Sequence, residues 1–176
     1  AKQLQQDGFI ECLRQLLKAH PTVKRGDLEM EILETSAMRD LAKASQLIAD
    51  SREMGILFSL DDFGTGYSSL TYLKRLPINQ LKIDQSFVRD MLNDVDDLAI
   101  VEGVLALAAA FSLEVIADGM ETTNHGEMLL QLGCDLAQGY GIARPMPATA
   151  LENWITTWHP DPNWVNRPSF VRADLP

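Results

Sequence analysis

Residues 57–70 read Leu57-Phe58-Ser59-Leu60-Asp61-Asp62-Phe63-Gly64-Thr65-Gly66-Tyr67-Ser68-Ser69-Leu70. The apolar run predicts a buried strand, and the serines after the two glycines predict the start of a helix. Two adjacent carboxylates, Asp61 and Asp62, stand at the end of that strand. Burying a carboxylate in the core without a partner is costly, so we do not expect them to be core residues. Their oxygens suit the binding of a hard divalent cation. An isolated Asp-Asp pair is more often a solvated turn, so the rest of the chain has to decide between these two interpretations.

The composition predicts one globular domain without a membrane segment. The chain has 176 residues, 46% of them apolar, which is enough for a sizeable core. No run approaches the roughly 20 apolar residues of a membrane span. The formal net charge of −10 argues against DNA binding, because proteins of that class carry a basic face. Cys12 and Cys134 are isolated in the sequence, so we expect no disulfide framework and a cytoplasmic location.

Strands and helices are predicted to alternate along the chain. Apolar residues at helical spacing predict a helix that contains Phe9 and Leu17, a second that runs from Met38 to Ile48, and later ones around residues 101–108, 128–132 and 151–155. Strands are predicted at residues 28–34, 57–61, 80–84, 114–117 and 135–138. A short helix is also expected after the Asp-Asp turn, ending before Pro77. This alternation is typical of parallel βα units.

Polar groups recur where each predicted strand ends. They are Glu31 and Glu34, Asp61 and Asp62, Lys82 and Asp84, Asp118 and Glu121, and Gln138. In a (β/α) barrel all strand ends open onto one face, so these side chains would converge there. A doubly wound open sheet is the alternative, but it concentrates function at one switch point. A full barrel takes about 250 residues in eight units. We therefore predict an α/β, TIM-like barrel that is incomplete in this chain, with about five of the eight strands.

Five motifs carry a resemblance to a known family. They are Glu31-Ile32-Leu33-Glu34, the block that runs from Asp61 to Leu70, Leu81-Lys82-Ile83-Asp84, Ile116-Ala117-Asp118-Gly119-Met120-Glu121 and Gln138-Gly139-Tyr140. In this order and spacing they resemble the EAL-domain family of cyclic di-GMP phosphodiesterases, from residue 1 to about residue 158. The resemblance implies a barrel domain over residues 1–158 followed by a Pro-rich tail over 159–176. It also implies Mg²⁺- or Mn²⁺-assisted hydrolysis of cyclic di-GMP to linear pGpG in bacterial signalling.

The resemblance assigns roles to individual residues. It implies that Glu31 and Asp61 bind one metal ion and that Asp62 binds a second. Lys82 would act beside the attacking water and the phosphate, and Asp118 would be the general base or a metal-facing carboxylate. Glu34 would support the Asp-Asp loop, while Asp84, Glu121 and Gln138 would line the site.

Two departures from the family pattern lower the expected activity. The Glu-Ala-Leu segment that names the family, a substrate-binding Arg and a metal-binding Asn would all precede residue 1. Asp118 stands where the family usually has Glu, and a displacement of about 1 Å can cost on the order of 10²-fold in rate. We therefore expect this chain by itself to bind Mg²⁺ poorly and to hydrolyse little.

Several alternatives stay open on the sequence. One is a non-catalytic receptor for cyclic di-GMP or a protein-interaction module. Another is an unrelated barrel enzyme acting on a sugar phosphate, for which Gly139-Tyr140-Gly141 would be the phosphate loop. A five-stranded sheet would also expose two edges, and exposed edges recruit other chains. We therefore expect either that the chain self-associates, as a homodimer or a strand-exchanged oligomer, or that it is one piece of a longer protein. The family also forms dimers through the helix that here would hold residues 67–74.

Overall fold

The computed structural model describes residues 8–65 and 73–165. Within that part five strands form one sheet, and they are β1 (Glu29–Leu33), β2 (Leu57–Phe63), β3 (Gln80–Ile83), β4 (Glu114–Asp118) and β5 (Leu136–Gln138). The helices of the same part are α1 (Phe9–Ala19), α2 (Glu34–Arg39), α3 (Leu41–Glu53), α4 (Gln85–Asp90), α5 (Val95–Ala110), α6 (Thr123–Gln131), α7 (Ala148–Thr157) and α8 (Pro162–Val165).

The sheet is parallel throughout, and its strands lie in the order β1-β2-β3-β4-β5. A doubly wound sheet would reverse its strand order at a switch point, and the described strands contain no such reversal. Sequential parallel neighbours are what consecutive units of a (β/α) barrel provide. The prediction of an incomplete TIM-like barrel is therefore confirmed, and the open-sheet alternative is wrong.

The two faces of the sheet differ in chemistry. Phe58, Leu60, Leu81 and Ile83 are fully buried, in one core with residues of α3 and α5 that include Ile48, Val101 and Ala108. The strand register places the alternate residues on the opposite face, where Glu31 is level with Ser59 and Ser59 with Gln80. Because side chains alternate along a strand, one face builds the core and leaves the other for polar groups.

Two local predictions need correction. The helix expected to run from Met38 to Ile48 is divided into α2 and α3, because Asp40 leaves helical geometry and its side chain accepts a hydrogen bond from the amide of Lys43. The strand expected to close on Glu34 ends at Leu33, and Glu34 is the first residue of α2. The short helix expected after the Asp-Asp turn falls largely on residues 66–72, outside the described part.

The chain beyond α7 returns to the domain through α8. The indole Nε1 of Trp164 donates a hydrogen bond of 3.1 Å to the backbone oxygen of Thr123. The ring also lies so close to Gly126 that a Cβ there would meet it at 2.6 Å, so α6 needs a glycine at this position. As for membranes, none of the helices in residues 8–65 and 73–165 is long and apolar enough to span a bilayer.

Candidate active site

Lys82 lies at the centre of the polar face. Its side chain is only 4% exposed, and its Nζ lies 2.9 Å from Glu31 Oε1 and 3.3 Å from Asp61 Oδ1. Asp118 Oδ2 is the third carboxylate oxygen near the ammonium, at 4.0 Å. These acids come from β1, β2 and β4, which parallel pairing brings to the same edge of the sheet. The structure thus brings together four of the residues that the sequence analysis singled out.

The pKa of Lys82 is raised in this setting. Burial alone would lower it, because a buried ammonium loses hydration. The hydrogen bond to Glu31 and the negative charges of Asp61 and Glu31 outweigh that loss. Lys82 therefore stays protonated at neutral pH and supplies a fixed positive charge within an acidic cluster.

A β-bulge places both residues of the Asp-Asp pair opposite Lys82 in the strand register, and the carboxylate of Asp61 is the one that reaches its ammonium. Leu60 pairs with Leu81 and Phe63 pairs with Ile83, so two residues of β2 oppose the single residue Lys82 of β3. The second of these, Asp62, has a positive φ of 57°. The extra residue also returns Phe63 to the core face, where it is 3% exposed. The bulge therefore aims the acids away from the core without breaking the strand.

Glu34 and Phe87 support the segment after the bulge. Glu34 is fully buried, and its Oε2 accepts a hydrogen bond of 3.1 Å from the amide of Gly64. Gly64 has a φ of 103°, and a Cβ there would meet the ring of Phe87 at 3.0 Å. Only glycine tolerates both the conformation and the close approach. This geometry is compatible with the supporting role predicted for Glu34, and it adds Phe87, which the sequence analysis did not identify.

Asp84 lies beside Asp62 and caps α4. Its Oδ1 accepts a hydrogen bond of 2.9 Å from the amide of Ser86. The pKa of Asp62 is raised, first because the carboxyl is partly desolvated and then because Asp61 and Asp84 add negative charge next to it. Asp84 also forms a side-chain hydrogen bond with Asp62 that raises this pKa further. The two acids are thus coupled at the rim of the site.

Gln138 and Glu121 lie where β4 and β5 end. Gln138 is level with Asp118 in the sheet register, and its backbone oxygen accepts a hydrogen bond of 3.0 Å from the amide of Met120. Glu121 is exposed. Among the described Asp and Glu side chains only those of Glu31, Asp61 and Asp118 come within 4.0 Å of Lys82 Nζ, so Glu121 forms no ion pair with Lys82. Gln138 and Glu121 stand at the rim of the site, where β5 and β4 end.

The glycines after β5 are not arranged as a phosphate loop. A Cβ on Gly139 would meet Met120 O at 2.3 Å, and one on Gly141 would meet the backbone of Glu121 at 2.9 Å. The amide of Gly141 already donates to Met120 O at 2.8 Å. These glycines therefore allow two backbone segments to pack together. The sugar-phosphate alternative loses the feature on which it rested, because a phosphate loop needs free amides.

One pair at this rim was missed by the sequence analysis. The guanidinium of Arg144 lies 4.4 Å from the centre of the Tyr140 ring. The sequence has a Tyr followed four residues later by an Arg, but this spacing predicts a contact between the two side chains only in a helix or a tight turn. Tyr140 belongs to one of the five motifs quoted above, and Arg144 lies outside all of them.

The donor chemistry of the site fits a hard divalent cation. Glu31, Asp61 and Asp62 offer carboxylate oxygens, which Mg²⁺ prefers, at one edge of the sheet. In residues 8–65 and 73–165 no three Asp, Glu, His or Cys side chains form a complete metal-binding group. Mg²⁺ usually binds through one or two protein carboxylates, and waters and substrate phosphates supply its other ligands. A site in which the protein provides only part of the ligand set is therefore compatible with Mg²⁺.

Comparison with known proteins finds relatives that match most of this chain. The bifunctional diguanylate cyclase/cyclic di-GMP phosphodiesterase MucR of Pseudomonas aeruginosa is 42% identical over 151 residues, which cover 86% of this chain and 22% of MucR. The cyclic di-GMP phosphodiesterase NbdA of the same species is 40% identical over 134 residues, or 76% of this chain and 17% of NbdA. The chain therefore spans less than a quarter of the length of these curated relatives.

Solved structures show the same likeness in three dimensions. The MucR phosphodiesterase in complex with cyclic di-GMP has a TM-score of 0.80 at 42% identity, over 85% of this chain and 60% of that one. The EAL domain of Mycobacterium smegmatis DcpA has a TM-score of 0.81 at 37% identity, over 88% and 69%. The EAL domain family itself matches residues 1–145. On these grounds the chain belongs to the EAL domain family, the family of cyclic di-GMP phosphodiesterases.

Proposed function

We propose that this chain carries the catalytic edge of a phosphodiesterase that hydrolyses one phosphodiester bond of cyclic di-GMP and yields linear pGpG. The observation that carries the proposal is the meeting of Glu31, Asp61 and Asp118 around the buried ammonium of Lys82. The likeness to MucR, whose structure contains cyclic di-GMP, supports the choice of substrate. In this reaction a water oxygen bonds to phosphorus, the bond from phosphorus to the 3′ oxygen breaks, and the 3′ oxygen takes up a proton.

Lys82 has the central electrostatic role in this proposal. A phosphodiester gains negative charge on its oxygens in the transition state, and a preorganised cation in a partly buried site stabilises that charge. The ammonium is already held in position by Glu31 and Asp61. It also offsets the negative charge of the carboxylates, which would otherwise repel an anionic substrate.

Asp118 is proposed to accept a proton from the attacking water. A general base has to be unprotonated and within hydrogen-bond reach of the water. Asp118 is partly exposed, with 31% of its side chain accessible, so a water can approach it. Its carboxylate lies farther from Lys82 than those of Glu31 and Asp61 do. We therefore propose that turnover is weaker than with the Glu that the family usually has there.

Glu31, Asp61 and Asp62 are proposed to hold Mg²⁺ or Mn²⁺ together with waters and substrate oxygens. When bound, such ions lower the pKa of water and clamp phosphate oxygens. Other contacts of the chain orient these carboxylates. The bulge presents Asp61 and Asp62 side by side, and Glu34 accepts a hydrogen bond from the amide of Gly64, which holds the segment that follows them.

The test is product analysis with matched variants. We expect the chain with Mn²⁺ or Mg²⁺ to convert cyclic di-GMP to linear pGpG only slowly, detected by chromatography, and Lys82→Met and Asp61→Asn to abolish even this product. Lys24→Met, which removes an exposed lysine between α1 and β1, is the control and should leave the activity unchanged. Calorimetric binding of cyclic di-GMP without any linear product would contradict the proposal.

We further propose a cytoplasmic location, because both cysteines are free: Cys12 is exposed and Cys134 is buried. Free thiols are expected in a reducing compartment. Labelling Cys12 with a membrane-impermeant maleimide in intact cells would contradict this location.

A further inference from the structure

Helix α4 is packed between the two segments that follow the acids of the site. On one side, a Cβ on Gly64, shortly after the Asp-Asp pair, would meet the ring of Phe87 at 3.0 Å. On the other side, a Cβ on Gly119, the residue after Asp118, would meet the Cβ of Gln85 at 2.7 Å. Neither contact leaves free space between the helix and the segment beside it. The position of α4 therefore decides how far the Asp-Asp turn stands from Asp118.

The end of α4 is held by a histidine from another helix. His125, in the first turn of α6, places its Nε2 3.0 Å from the backbone oxygen of Arg89. A carbonyl oxygen only accepts hydrogen bonds, so Nε2 carries the hydrogen and donates it. The carbonyl of Phe87 bonds instead to the backbone amide of Met91, at 3.0 Å. Because a helix leaves its last carbonyls without partners of its own, the imidazole completes the end of α4.

The imidazole is fixed from its other side as well. His125 is only 6% exposed, and the hydroxyl oxygen of Thr122 lies 2.7 Å from its Nδ1. The turn that carries it is bound to the chain that returns after α7: Trp164 Nε1 donates to Thr123 O at 3.1 Å, and Thr123 Oγ1 donates to Asp161 Oδ2 at 3.1 Å. Because both ring nitrogens are engaged in a buried position, the imidazole holds the end of α4 in one place.

The shortness of α4 makes this contact important. The helix has six residues, and a helix of that length depends on tertiary contacts rather than on its own propensity. Val88, in its middle, is fully buried and anchors it to the core. Arg89 lies about 6 Å along the axis from Gln85. If the end of the helix moves while Val88 stays in place, Gln85 and Phe87 have to move against the two glycine segments.

We propose that His125 is a positioning residue of this active site, which sets the separation between the Asp-Asp turn and Asp118 by fixing the end of α4. The inference rests on the proposed function and adds to it a residue from outside the polar face of the sheet. His125 acts on the acids through the backbone of Arg89 and the contacts of Phe87 and Gln85, and it takes no part in the chemical step.

The first measurement observes the two segments directly, without metal or substrate. The amide resonances of Gly64 and Gly119 are followed by nitrogen–proton correlation NMR in the parent protein and in variants of His125. We expect His125→Ala to shift both resonances, because the helix that lies against both glycines loses its support. His125→Asn should shift them too, because its shorter side chain does not reach the oxygen of Arg89. His125→Gln should restore the parent resonances, because its amide nitrogen donates from nearly the same place as Nε2.

The second measurement asks whether the displacement reaches the chemistry. His125→Ala should lower kcat by about 10- to 100-fold at saturating Mn²⁺, because a displacement of about 1 Å can lower a rate on the order of 10²-fold. KM should change little, because the reacting groups move while the contacts to the substrate remain. Mn²⁺ binding, followed by electron paramagnetic resonance, should weaken by about tenfold, the scale of one lost hydrogen bond. His125→Gln should restore both kcat and Mn²⁺ affinity.

Matched controls separate positioning from a general effect on stability. His20→Ala removes an exposed histidine where α1 ends and should leave the resonances and the rate unchanged. A His125→Ala protein that melts at a lower temperature but keeps the parent resonances and kcat would show a purely structural role and overturn the inference. If His125→Ala does not fold, His125→Asn and His125→Gln decide, because they carry the same amide at different reach. Equal resonances and rates in these two would also overturn it.

The outcomes distinguish this inference from the proposed function. If the parent protein forms linear pGpG and the resonances of Gly64 and Gly119 do not move in His125→Ala, the positioning role is wrong and the proposed function stands. If the parent protein forms no linear pGpG, the proposed function is wrong. The two resonances still show in that case whether His125 fixes the segments that carry the acids, because they are measured without metal or substrate.

Discussion

Lengthening the carboxylate at position 118 should raise the rate of cyclic di-GMP hydrolysis. Asp118 Oδ2 lies 4.0 Å from Lys82 Nζ, whereas Glu31 Oε1 lies at 2.9 Å. The shortfall is about 1 Å, and the methylene that Asp118→Glu adds extends the side chain by at most about 1.5 Å, one C–C bond. The added length is therefore of the size needed to bring the carboxylate at position 118 to hydrogen-bond distance from Lys82 Nζ.

The expected gain follows from the cost of misplacing a reacting group. A displacement of about 1 Å can lower a rate on the order of 10²-fold. We therefore expect Asp118→Glu to raise kcat/KM by about 10- to 100-fold, which corresponds to roughly 1.4 to 2.7 kcal/mol of transition-state stabilisation. The gain should appear mainly in kcat, because the carboxylate acts on the reacting water.

The assay is steady-state release of linear pGpG with Mn²⁺ or Mg²⁺ in excess. Asp135→Glu is the matched control, because it adds the same methylene to an exposed acid before β5, at the opposite edge of the sheet, and should leave the rate unchanged. An Asp118→Glu protein that melts normally and turns over at the parent rate or more slowly would refute the argument from distance.

Three further predictions follow from the contacts of the site, and a fourth follows from the edges of the sheet. Lys82→Met should lower the free energy of unfolding by about 1–3 kcal/mol at pH 7, because it leaves partly buried carboxylates without their cation. The pKa of Lys82 is raised in the folded state, so the stabilisation by its charge is present below the unfolded-state pKa of about 10.4 and is lost as the pH rises through the folded-state pKa. Urea unfolding should therefore show the stabilities of parent and variant converging at high pH. Asp84→Asn should lower the pKa of Asp62 by removing a neighbouring negative charge, so the acid limb of Mn²⁺ binding should move to lower pH, and a shift to higher pH would contradict the coupling. Glu34→Ala should lower the free energy of unfolding by about 1–3 kcal/mol and weaken Mn²⁺ binding, because the amide of Gly64 loses a buried acceptor; unchanged Mn²⁺ affinity in chelator titrations would count against the supporting role. The edges of the described sheet, β1 and β5, should drive self-association, which sedimentation velocity would detect, and a monomer with a cooperative melt would rule it out.

The sequence by itself determined the order of the strands and helices and the edge at which the polar residues meet. Apolar runs that end in Asp61, Lys82 and Asp118 indicate parallel strands, and the carboxyl ends of parallel strands lie together whatever the details of packing. The same pattern predicted the acidic cluster, because a carboxylate is costly to place in the core and inexpensive at a strand end.

Only the tertiary structure decided how these groups are arranged. The bulge that sets Asp61 and Asp62 opposite Lys82 depends on the register between β2 and β3, a pairing of residues about 20 positions apart that no local pattern encodes. The break at Asp40 and the contact of Phe87 with Gly64 likewise depend on which side chains meet after folding. Local periodicity follows from short-range sterics and hydrophobic burial, whereas the geometry of the site follows from contacts between distant segments, and these exist only in the folded chain.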